Sequence, residues 1–532
     1  MRIYKYITIL FFFNISLVGF CQNEISNPIT KAMMNVYQQL IEENPHDYET
    51  YFKRANEYYN HNQYIKALND INNALKYIPS KETDMKFQSL CLRASIYEVT
   101  QNYEKALNDL TSAYTIDPNS YTVLYRKANA EYLIEMYDDA KKDYQRMLRM
   151  NNRSIEALIG LSRIATIEKN LGLANEYADN AVALYPNNAE VYIRRATVRK
   201  LMGNNNGAVD DLIIAISIDN QNTKALYELV EMGNCDYPAV MSGLSNAIRQ
   251  APRVGMFYYI RGIIAKSHFN YVAALTDFKK IIQDNLYNYH GIYSEIAECQ
   301  YALGKYNDAI YNINYAINTS STVKSEYYVL KAQILRALGN STEALDCCNI
   351  AIEQNQNYTH ALTIKGLCLS DLNKYNESLA LYGEAILNEA NNPYNYFLRA
   401  ELFEKQFNKP IEANILYERI IDMDYDENDI NSYKGFALAA LNQEEEAIRW
   451  IENILLKHSD NDGYINYIAS CLYAQIGDFN KSFECMKNSL QMGYANSHNW
   501  VLNSDTKIST LPIRKDKRFK KLLQQYSIIF ND

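Results

Sequence analysis

The sequence predicts an all-α protein, an α-solenoid of about thirteen stacked helix hairpins with a helical segment at each end. Three observations predict this class. Similar amphipathic sequence segments recur every 34 or 35 residues, and the apolar residues of each segment have the 3.6-residue period of a helix. Only 18 glycines and 10 prolines occur in 532 residues. So few turn-forming residues disfavour a β-sandwich or a β-barrel.

The first element is a segment with the layout of a secretory signal peptide, residues 1–21. Arg2 and Lys5 precede an apolar run over residues 7–13, which is too short for a comfortable transmembrane span. Gly19 and Cys21 put small residues three and one places before a cut that follows Cys21. We therefore expect an exported protein, located in the periplasm or cell envelope or secreted.

An alternative for this segment is a lipid anchor on Cys21, as in bacterial lipoproteins. Phe20 stands where that motif needs Gly, Ala or Ser, so the lipid anchor is disfavoured. No later stretch has 18 uninterrupted apolar residues, and we expect no transmembrane segment in the mature chain.

The next element is a short N-terminal segment, residues 22–47, in which one helix over residues 28–44 is expected to cap the first hairpin. Thirteen repeated units follow between Tyr48 and Asn496, six in residues 48–252 and seven in residues 253–496. A small residue marks the same place in each unit except the degenerate sixth, where Val240 stands. These residues are Ala67, Ala106, Ala140, Ala174, Ala208, Ala274, Ala309, Ala344, Ser378, Ala413, Ala447 and Ser482.

Within a unit, two apolar stripes of helical period flank a short polar turn, which predicts two antiparallel helices. In the first unit, Ala55 and Ala67 allow the two helices to approach closely, and Tyr64 and Ile71 fill the space toward the neighbouring unit. One such hairpin cannot bury its apolar faces alone, whereas a stack of them can.

This pattern resembles the tetratricopeptide repeat family. That family has 34-residue units with small residues near places 8, 20 and 27, aromatic residues near 11, 17 and 24, and a proline at 32. The resemblance covers about residues 48–496. It implies a right-handed superhelix of helix pairs, in which the first helices line a concave groove that binds a protein or peptide partner.

Three segments depart from the pattern. The sixth unit, residues 221–252, is expected to have a damaged first helix, because GNCDYP replaces a clean turn; this place is either a hinge or simple drift. About five extra residues separate the first two units, around residues 80–85. After the last unit, residues 497–532 break the period, and we expect them to form a C-terminal capping segment in which Phe519 and Leu522 cover the last hairpin.

No motif for catalysis, cofactor binding or metal binding is present. Seven histidines are scattered without metal-ligand spacing, and no CxxC, GxSxG, HExxH or phosphate-binding glycine loop occurs. The net charge of −9, with no long basic run, argues against nucleic acid as a partner. We therefore expect no enzyme, no cofactor and no metal site, and cysteines that are mostly buried thiols.

The candidate site is the groove that the family resemblance implies. Its geometry assigns an aromatic stretch, a basic stretch and a second aromatic stretch to the groove wall. The residues are Phe52, Asn56, Tyr59, Tyr125, Asn129 and Tyr132, then Arg163, Lys200, Lys266 and Arg336, then Tyr394, Phe397, Phe436, Tyr464 and Tyr467.

Tyrosine offers a large contact area at a low conformational-entropy cost, and central cations would orient an acidic partner. The lysine that starts the carboxylate clamp of chaperone-binding relatives is missing, because Phe52, Cys91 and Tyr125 occupy the fifth place. The sequence thus favours a non-catalytic protein-interaction scaffold. Recognition of a glycan or small ligand is the alternative, and an activity in the C-terminal segment is a third hypothesis.

Overall fold

A computed structural model describes residues 28–287, 291–320, 324–423, 433–457, 462–494, 496, 499–500, 511–526 and 528. The predicted signal peptide, including Cys21, lies outside these residues. The described residues form 28 α-helices and no strand, which confirms the all-α class. None of these helices combines the length and the apolar character that a membrane crossing requires.

One helix, α1 (Pro28–Glu43), precedes thirteen hairpins. The first six are α2 (Tyr48–Asn60) with α3 (Tyr64–Tyr77), α4 (Thr83–Val99) with α5 (Tyr103–Ile116), α6 (Tyr121–Leu133) with α7 (Tyr137–Met150), α8 (Ile155–Ile167) with α9 (Leu171–Leu184), α10 (Ala189–Leu201) with α11 (Asn205–Ile218), and α12 (Thr223–Cys235) with α13 (Tyr237–Gln250).

The other seven hairpins complete the array. They are α14 (Gly255–Ser267) with α15 (Tyr271–Gln283), α16 (Ile292–Ala302) with α17 (Tyr306–Thr319), α18 (Ser325–Ala337) with α19 (Ser341–Gln354), α20 (Thr359–Asp371) with α21 (Tyr375–Asn388), α22 (Pro393–Lys405) with α23 (Pro410–Ile421), α24 (Lys434–Ala440) with α25 (Glu444–Asn453), and α26 (Tyr464–Ile476) with α27 (Phe479–Gln491). A final helix, α28, covers Lys517–Gln525.

The described chain divides into two compact units, each of which contains several of the repeated hairpins. The N-terminal unit ends at Gly243, and the C-terminal unit begins at Leu244. Within each unit the arrangement is that of an α-solenoid, because consecutive hairpins of the same unit pack against one another.

The turn inside every hairpin except the sixth contains one residue in the left-handed region. In the first hairpin, Asn62 has φ 58°, so its N–H donates to Tyr59 O at 3.0 Å and the N–H of Gln63 donates to Tyr58 O at 2.8 Å. Glycine and asparagine adopt this conformation most readily. The same place is held by Gln101, Glu135, Lys169, Gly203, Phe269, Gly304, Gly339, Asn373, Asn408, Asn442 and Gly477.

The sixth hairpin departs from this scheme, but not as the sequence suggested. Its first helix α12 is a full 13 residues long, so the prediction of a damaged first helix is wrong. The turn is shortened instead: Asp236 alone separates the helices, and its carboxylate accepts the N–H of Ala239 at 3.2 Å as an N-cap. Pro238 then falls in the first turn of α13, where a helix tolerates it.

The extra residues between the first two hairpins also have a definite place. They lengthen the first helix of the second unit, so that α4 has 17 residues where α2 has 13.

Neighbouring units share their hydrophobic clusters. The second helix α3 contributes Ala67, Ile71 and Ala74 to a cluster completed by Leu92 and Ile96 of α4, in the next unit. The same arrangement recurs where α19 meets α20, around the buried thiols of Cys348 and Cys368. Six of the eight described cysteines are buried, which confirms the expectation of mostly buried thiols.

Inside a hairpin, a small residue on the first helix faces a larger one on the second. Ala55 and Ile71 hold these places in the first hairpin, and both are fully buried in one hydrophobic cluster. In the tenth and seventh hairpins the second helix carries an aromatic ring and the first carries glycine: a Cβ on Gly366 would lie 2.5 Å from Tyr382 Cε1, and one on Gly262 would lie 2.6 Å from Phe278 Cε1. The size of one side chain therefore limits the size of the other.

The helix α1 packs on the first hairpin in the manner of a second helix. Its Gln38 accepts Arg54 Nη1 at 2.5 Å, and Ile41 is buried against α2. Its other side carries an exposed apolar stripe formed by Ile29, Met33, Val36 and Leu40. At the other end of the chain, Phe519 and Leu523 of α28 are buried in a cluster with Trp500, and Leu522 packs at its edge.

The C-terminal unit contains a contact between distant repeats. Phe269, the left-handed residue in the turn of the seventh hairpin, stacks on Tyr464 of the thirteenth at 5.6 Å between ring centroids. Its edge meets Tyr494 at 4.9 Å. Because a phenylalanine is disfavoured at φ 58°, the aromatic contacts offset the strain of this turn.

We predict that Gly366→Ala destabilises the C-terminal unit by about 1–3 kcal/mol, because the new methyl group overlaps the Tyr382 ring. Tyr382→Ile should offset much of this loss when combined with Gly366→Ala, since it recreates the Ala55–Ile71 pair of the first hairpin. Urea unfolding of the two single variants and the double variant measures the coupling. Strictly additive effects would show that the two side chains do not limit one another.

We also predict that Phe269→Asn loosens the thirteenth hairpin and leaves the seventh intact. Asparagine suits the left-handed turn but lacks the ring that packs on Tyr464 and Tyr494. Hydrogen exchange should show faster exchange in α26 and α27, with α14 and α15 unchanged. Lys169→Asn, at the same turn position of the fourth hairpin, is the control. Unchanged protection of α26 would contradict the prediction.

Candidate functional site: the inner face of the first helices

First helices of consecutive units contact one another in both compact units. Such contacts join α6 to α8 and α8 to α10 in the N-terminal unit, and α16 to α18 and α18 to α20 in the C-terminal unit. We call the side of the first helices that lies away from the second helices the inner face. Side chains from neighbouring repeats meet there, so it is the surface on which a site can be assembled from several units.

The predicted aromatic residues of the N-terminal unit are partly accessible. Phe52 and Tyr59 pack at the edge of the first hydrophobic cluster, and Tyr125 and Tyr132 at the edge of another. Beside them, Asn56 is exposed and Asn129 half-buried. Each of the four aromatic side chains therefore has one part in the core and another available to a ligand.

Four of the fifteen predicted residues are buried, and for them the prediction of an exposed groove wall is wrong. Phe397 packs against Tyr417 and Phe436, and Tyr467 lies between Tyr494 and Trp500. Aromatic neighbours therefore enclose Phe397, Phe436 and Tyr467, which are three of the four. The fourth buried residue, Lys266, is only 3% exposed. Tyr394 and Tyr464 stay half-buried.

The four predicted cations all have carboxylate partners. Each pairs with a residue on the first helix of the next unit, so the ion pairs run along the inner face. They join Arg163 to Glu190 at 3.4 Å, Lys200 to Glu228 at 3.9 Å, Lys266 to Glu295 at 2.5 Å and to Glu298 at 2.7 Å, and Arg336 to Asp371 at 2.7 Å. The charges of Lys266 and Arg336 are satisfied internally, which weakens the expectation that this basic stretch steers an acidic partner. Arg163 and Lys200 have the longer contacts, at 3.4 and 3.9 Å.

In five hairpins, an ion pair between residues sixteen apart joins the two helices. In the first hairpin, Arg54 Nε and Nη2 donate to both carboxylate oxygens of Asp70, at 2.6 and 2.8 Å. The equivalent pairs are Arg93–Asp109, Lys127–Asp143, Arg195–Asp211 and Arg261–Asp277. Sequence reasoning missed them, although the constant spacing of sixteen was there to be found.

The hydrogen bond to Asp70 raises the pKa of Arg54, and that to Asp109 raises the pKa of Arg93. These pairs are charge-assisted and bidentate, a geometry that fixes orientation as well as adding stability. They hold the first helix at a set angle to the second.

Two arginines at the sixth place of their units make contrasting contacts across the inner face. Arg126 donates to both oxygens of Glu98, at 2.8 to 3.1 Å, and to Ser95 Oγ at 2.8 Å. Arg194 is the equivalent residue two units later. It donates to Ser162 Oγ at 2.8 Å, Ser162 O at 2.9 Å and the hydroxyl of Thr166.

Glu131, on α6, is a buried carboxylate within the same region. Lys127 pairs with both Glu131 and Asp143, and among the described residues Glu131 Oε2 has no hydrogen-bond partner. Burial raises the pKa of Glu131 to about 7, although the Lys127 ammonium opposes the shift; the charges of Asp143 and Asp139 act in the same direction as burial.

The sequence profile of the tetratricopeptide repeat matches residues 87–120 and 325–358, which are the second and ninth hairpins. A TPR repeat-containing protein of Methanocaldococcus jannaschii is 22% identical over 246 residues. That match takes in 43% of this chain and 35% of the relative, so the chain spans about a third of that relative's length.

Two solved structures are similar in fold. YrrB, described as a TPR protein with an unusual peptide-binding site, is 21% identical with a TM-score of 0.30, and the match covers 36% of this chain and 96% of YrrB. Yeast Tom70 is 17% identical with a TM-score of 0.35, covering 77% of this chain and 99% of the Tom70 structure.

We predict that Glu131 makes stability depend on pH near neutrality. The pKa of Glu131 is higher in the folded than in the unfolded chain. Its contribution to folding stability is therefore complete below about pH 4.5 and is lost as the pH rises through about 7. The free energy of unfolding of Glu131→Gln, measured with urea, should therefore change less between pH 5 and pH 8 than that of the wild type, by about 1–3 kcal/mol. Glu104→Gln, an exposed site on α5, is the control; equal pH slopes in all three proteins would contradict the assignment.

Proposed function

Because this chain is a tetratricopeptide repeat protein, we propose that it is a non-catalytic scaffold that binds a peptide or protein segment along the inner face of its first helices. The family generally consists of interaction scaffolds, and this chain's own inner face supports the same role. The supporting observation is the row of half-buried aromatic residues Phe52, Tyr59, Tyr125 and Tyr132 with Asn56 and Asn129 beside them.

Such a surface suits an extended polypeptide. Aromatic rings that are already packed on one side lose little conformational entropy when a ligand covers the other side. Asparagine side chains can both donate to a peptide carbonyl and accept from a peptide N–H. The inter-helix ion pairs hold neighbouring first helices in fixed register, so these groups are largely preorganised.

We further propose that the partner is met outside the cytoplasm. The support is the signal-peptide layout of residues 1–21, with its basic start, apolar run and small residues before the cut. Mass measurement of the mature N-terminus tests this: cleavage after Cys21 is expected, whereas an intact Met1 would contradict export, and an acylated Cys21 would show a lipid anchor.

Site-directed photo-crosslinking tests the inner face directly. A photoreactive phenylalanine analogue at Asn56, exposed on α2, is compared in cells with the same analogue at Ile65, which is 68% exposed on α3 of the same hairpin. We expect covalent protein adducts from position 56 and few from position 65. Adducts from position 65 alone would place the interaction on the second helices and contradict the proposal.

A further inference from the structure

The contacts of Arg194 leave a positive charge without a carboxylate partner on the inner face. Its Nε and Nη2 donate only to the neutral oxygens of Ser162 and Thr166, and its Nη1 makes no hydrogen bond within the described residues. A half-buried guanidinium normally has an anionic partner, because hydroxyl and carbonyl oxygens do not neutralise its charge.

The comparison with Arg126 shows what is missing. Glu98 precedes Arg126 by 28 residues, and Thr166 precedes Arg194 by the same 28. Thr166 therefore stands where the first arginine has its carboxylate. Ser95 precedes Arg126 by 31 residues, and the residue at that spacing from Arg194 is a second arginine, Arg163.

The second arginine adds charge to the same place. Arg163 contacts its only carboxylate partner among the described residues, Glu190, at 3.4 Å through one nitrogen, and that carboxylate is largely exposed. Glu156, the carboxylate on α8, accepts hydrogen bonds from Tyr121 and Ser154 instead. Within the described part of the chain, Arg163 and Arg194 therefore have one carboxylate contact between them, that of Glu190. Burial, with the repulsion of Arg163, lowers the pKa of Arg194 to about 10, a direction that marks an uncompensated cation.

The surroundings are aromatic. Tyr125 and Tyr132 of α6 are near enough for electrostatic interaction, Tyr125 with Arg163 and Tyr132 with Arg194. Tyr125 also interacts with the carboxylates of Glu190, Glu156 and Glu98. Both rings are half-buried at the edge of the cluster formed by α6, α7 and α8.

We propose that Arg194 and Arg163 bind a side-chain carboxylate of an acidic peptide segment, with Tyr125 and Tyr132 contacting the apolar part of that segment. The ligand's carboxylate takes the place that Glu98 occupies beside Arg126. This inference rests on the proposed function and adds to it the chemical class of the partner: a peptide with Asp or Glu beside apolar residues.

The decisive variant is Thr166→Glu, which gives Arg194 an internal carboxylate partner like the one that Glu98 provides for Arg126. Thr166 is half-buried, and the Glu98–Arg126 pair shows that a glutamate fits this spacing. This variant should keep the fold, with equal or greater stability, while its own carboxylate occupies the place proposed for the ligand. Arg194→Gln removes the cation itself. Arg149→Gln, an exposed site on α7, is the control for the same change of charge elsewhere.

The full-length mature protein is used to select octapeptides from a random library displayed with its C-termini fused to the phage coat protein, so that only side chains supply carboxylates. Peptides enriched in Asp or Glu are expected. Their affinity, measured by fluorescence anisotropy, should fall at least about tenfold for Thr166→Glu and Arg194→Gln, and stay unchanged for Arg149→Gln. Circular dichroism and thermal unfolding confirm that each variant is folded; if Thr166→Glu is not, Arg194→Gln decides.

Each contrary outcome has a distinct meaning. Enriched peptides without acidic residues, or undiminished affinity in the folded variants, would overturn the carboxylate site and leave the scaffold proposal standing. Displacement by millimolar inorganic phosphate as effective as by an acidic peptide would assign the site to a free anion and overturn the peptide. If no peptide is enriched at all, both proposals fail.

Discussion

The structure depends on the burial of each second helix by the first helix of the next unit. Ala67, Ile71 and Ala74 become part of a core only because Leu92 and Ile96 of the following hairpin cover them. The free energy of burial, about 25 cal/mol per Å² of apolar surface, is therefore shared between neighbouring repeats, and no hairpin has a hydrophobic core of its own. Each inter-unit angle follows from the side chains at such a contact, and these angles determine which inner-face residues can meet.

Polar contacts add direction to this non-directional burial. The pairs sixteen residues apart, such as Arg54 with Asp70, orient the two helices within a hairpin, and pairs such as Arg336 with Asp371 relate one hairpin to the next. Packing and charge thus act at different levels. The small-to-large contacts, of which Gly366 with Tyr382 is one, limit how closely the helices approach.

Periodicity alone was sufficient to predict the all-α class and the hairpins, since the stripes of alanine and aromatic residues depend only on local helix geometry. The site was predicted less well, because assigning Phe397, Phe436 and Tyr467 to a groove assumed identical geometry in all thirteen repeats. Aromatic neighbours that sequence spacing does not reveal enclose these three. The ion pairs between successive first helices were equally hidden, because their spacings range from 27 to 35 residues and depend on the rotation between neighbouring repeats.

The equivalence of Arg126 and Arg194 has an evolutionary consequence. When a repeat array grows by duplication, a new copy inherits its internal ties along with its core. Replacement of the acidic residue at the place of Glu98 or Thr166 then leaves the arginine without an internal carboxylate. An outside carboxylate can bind it instead, while the helices keep their positions. Tandem duplication followed by the loss of one acid is therefore a short route to new recognition, and the reverse exchange would erase it.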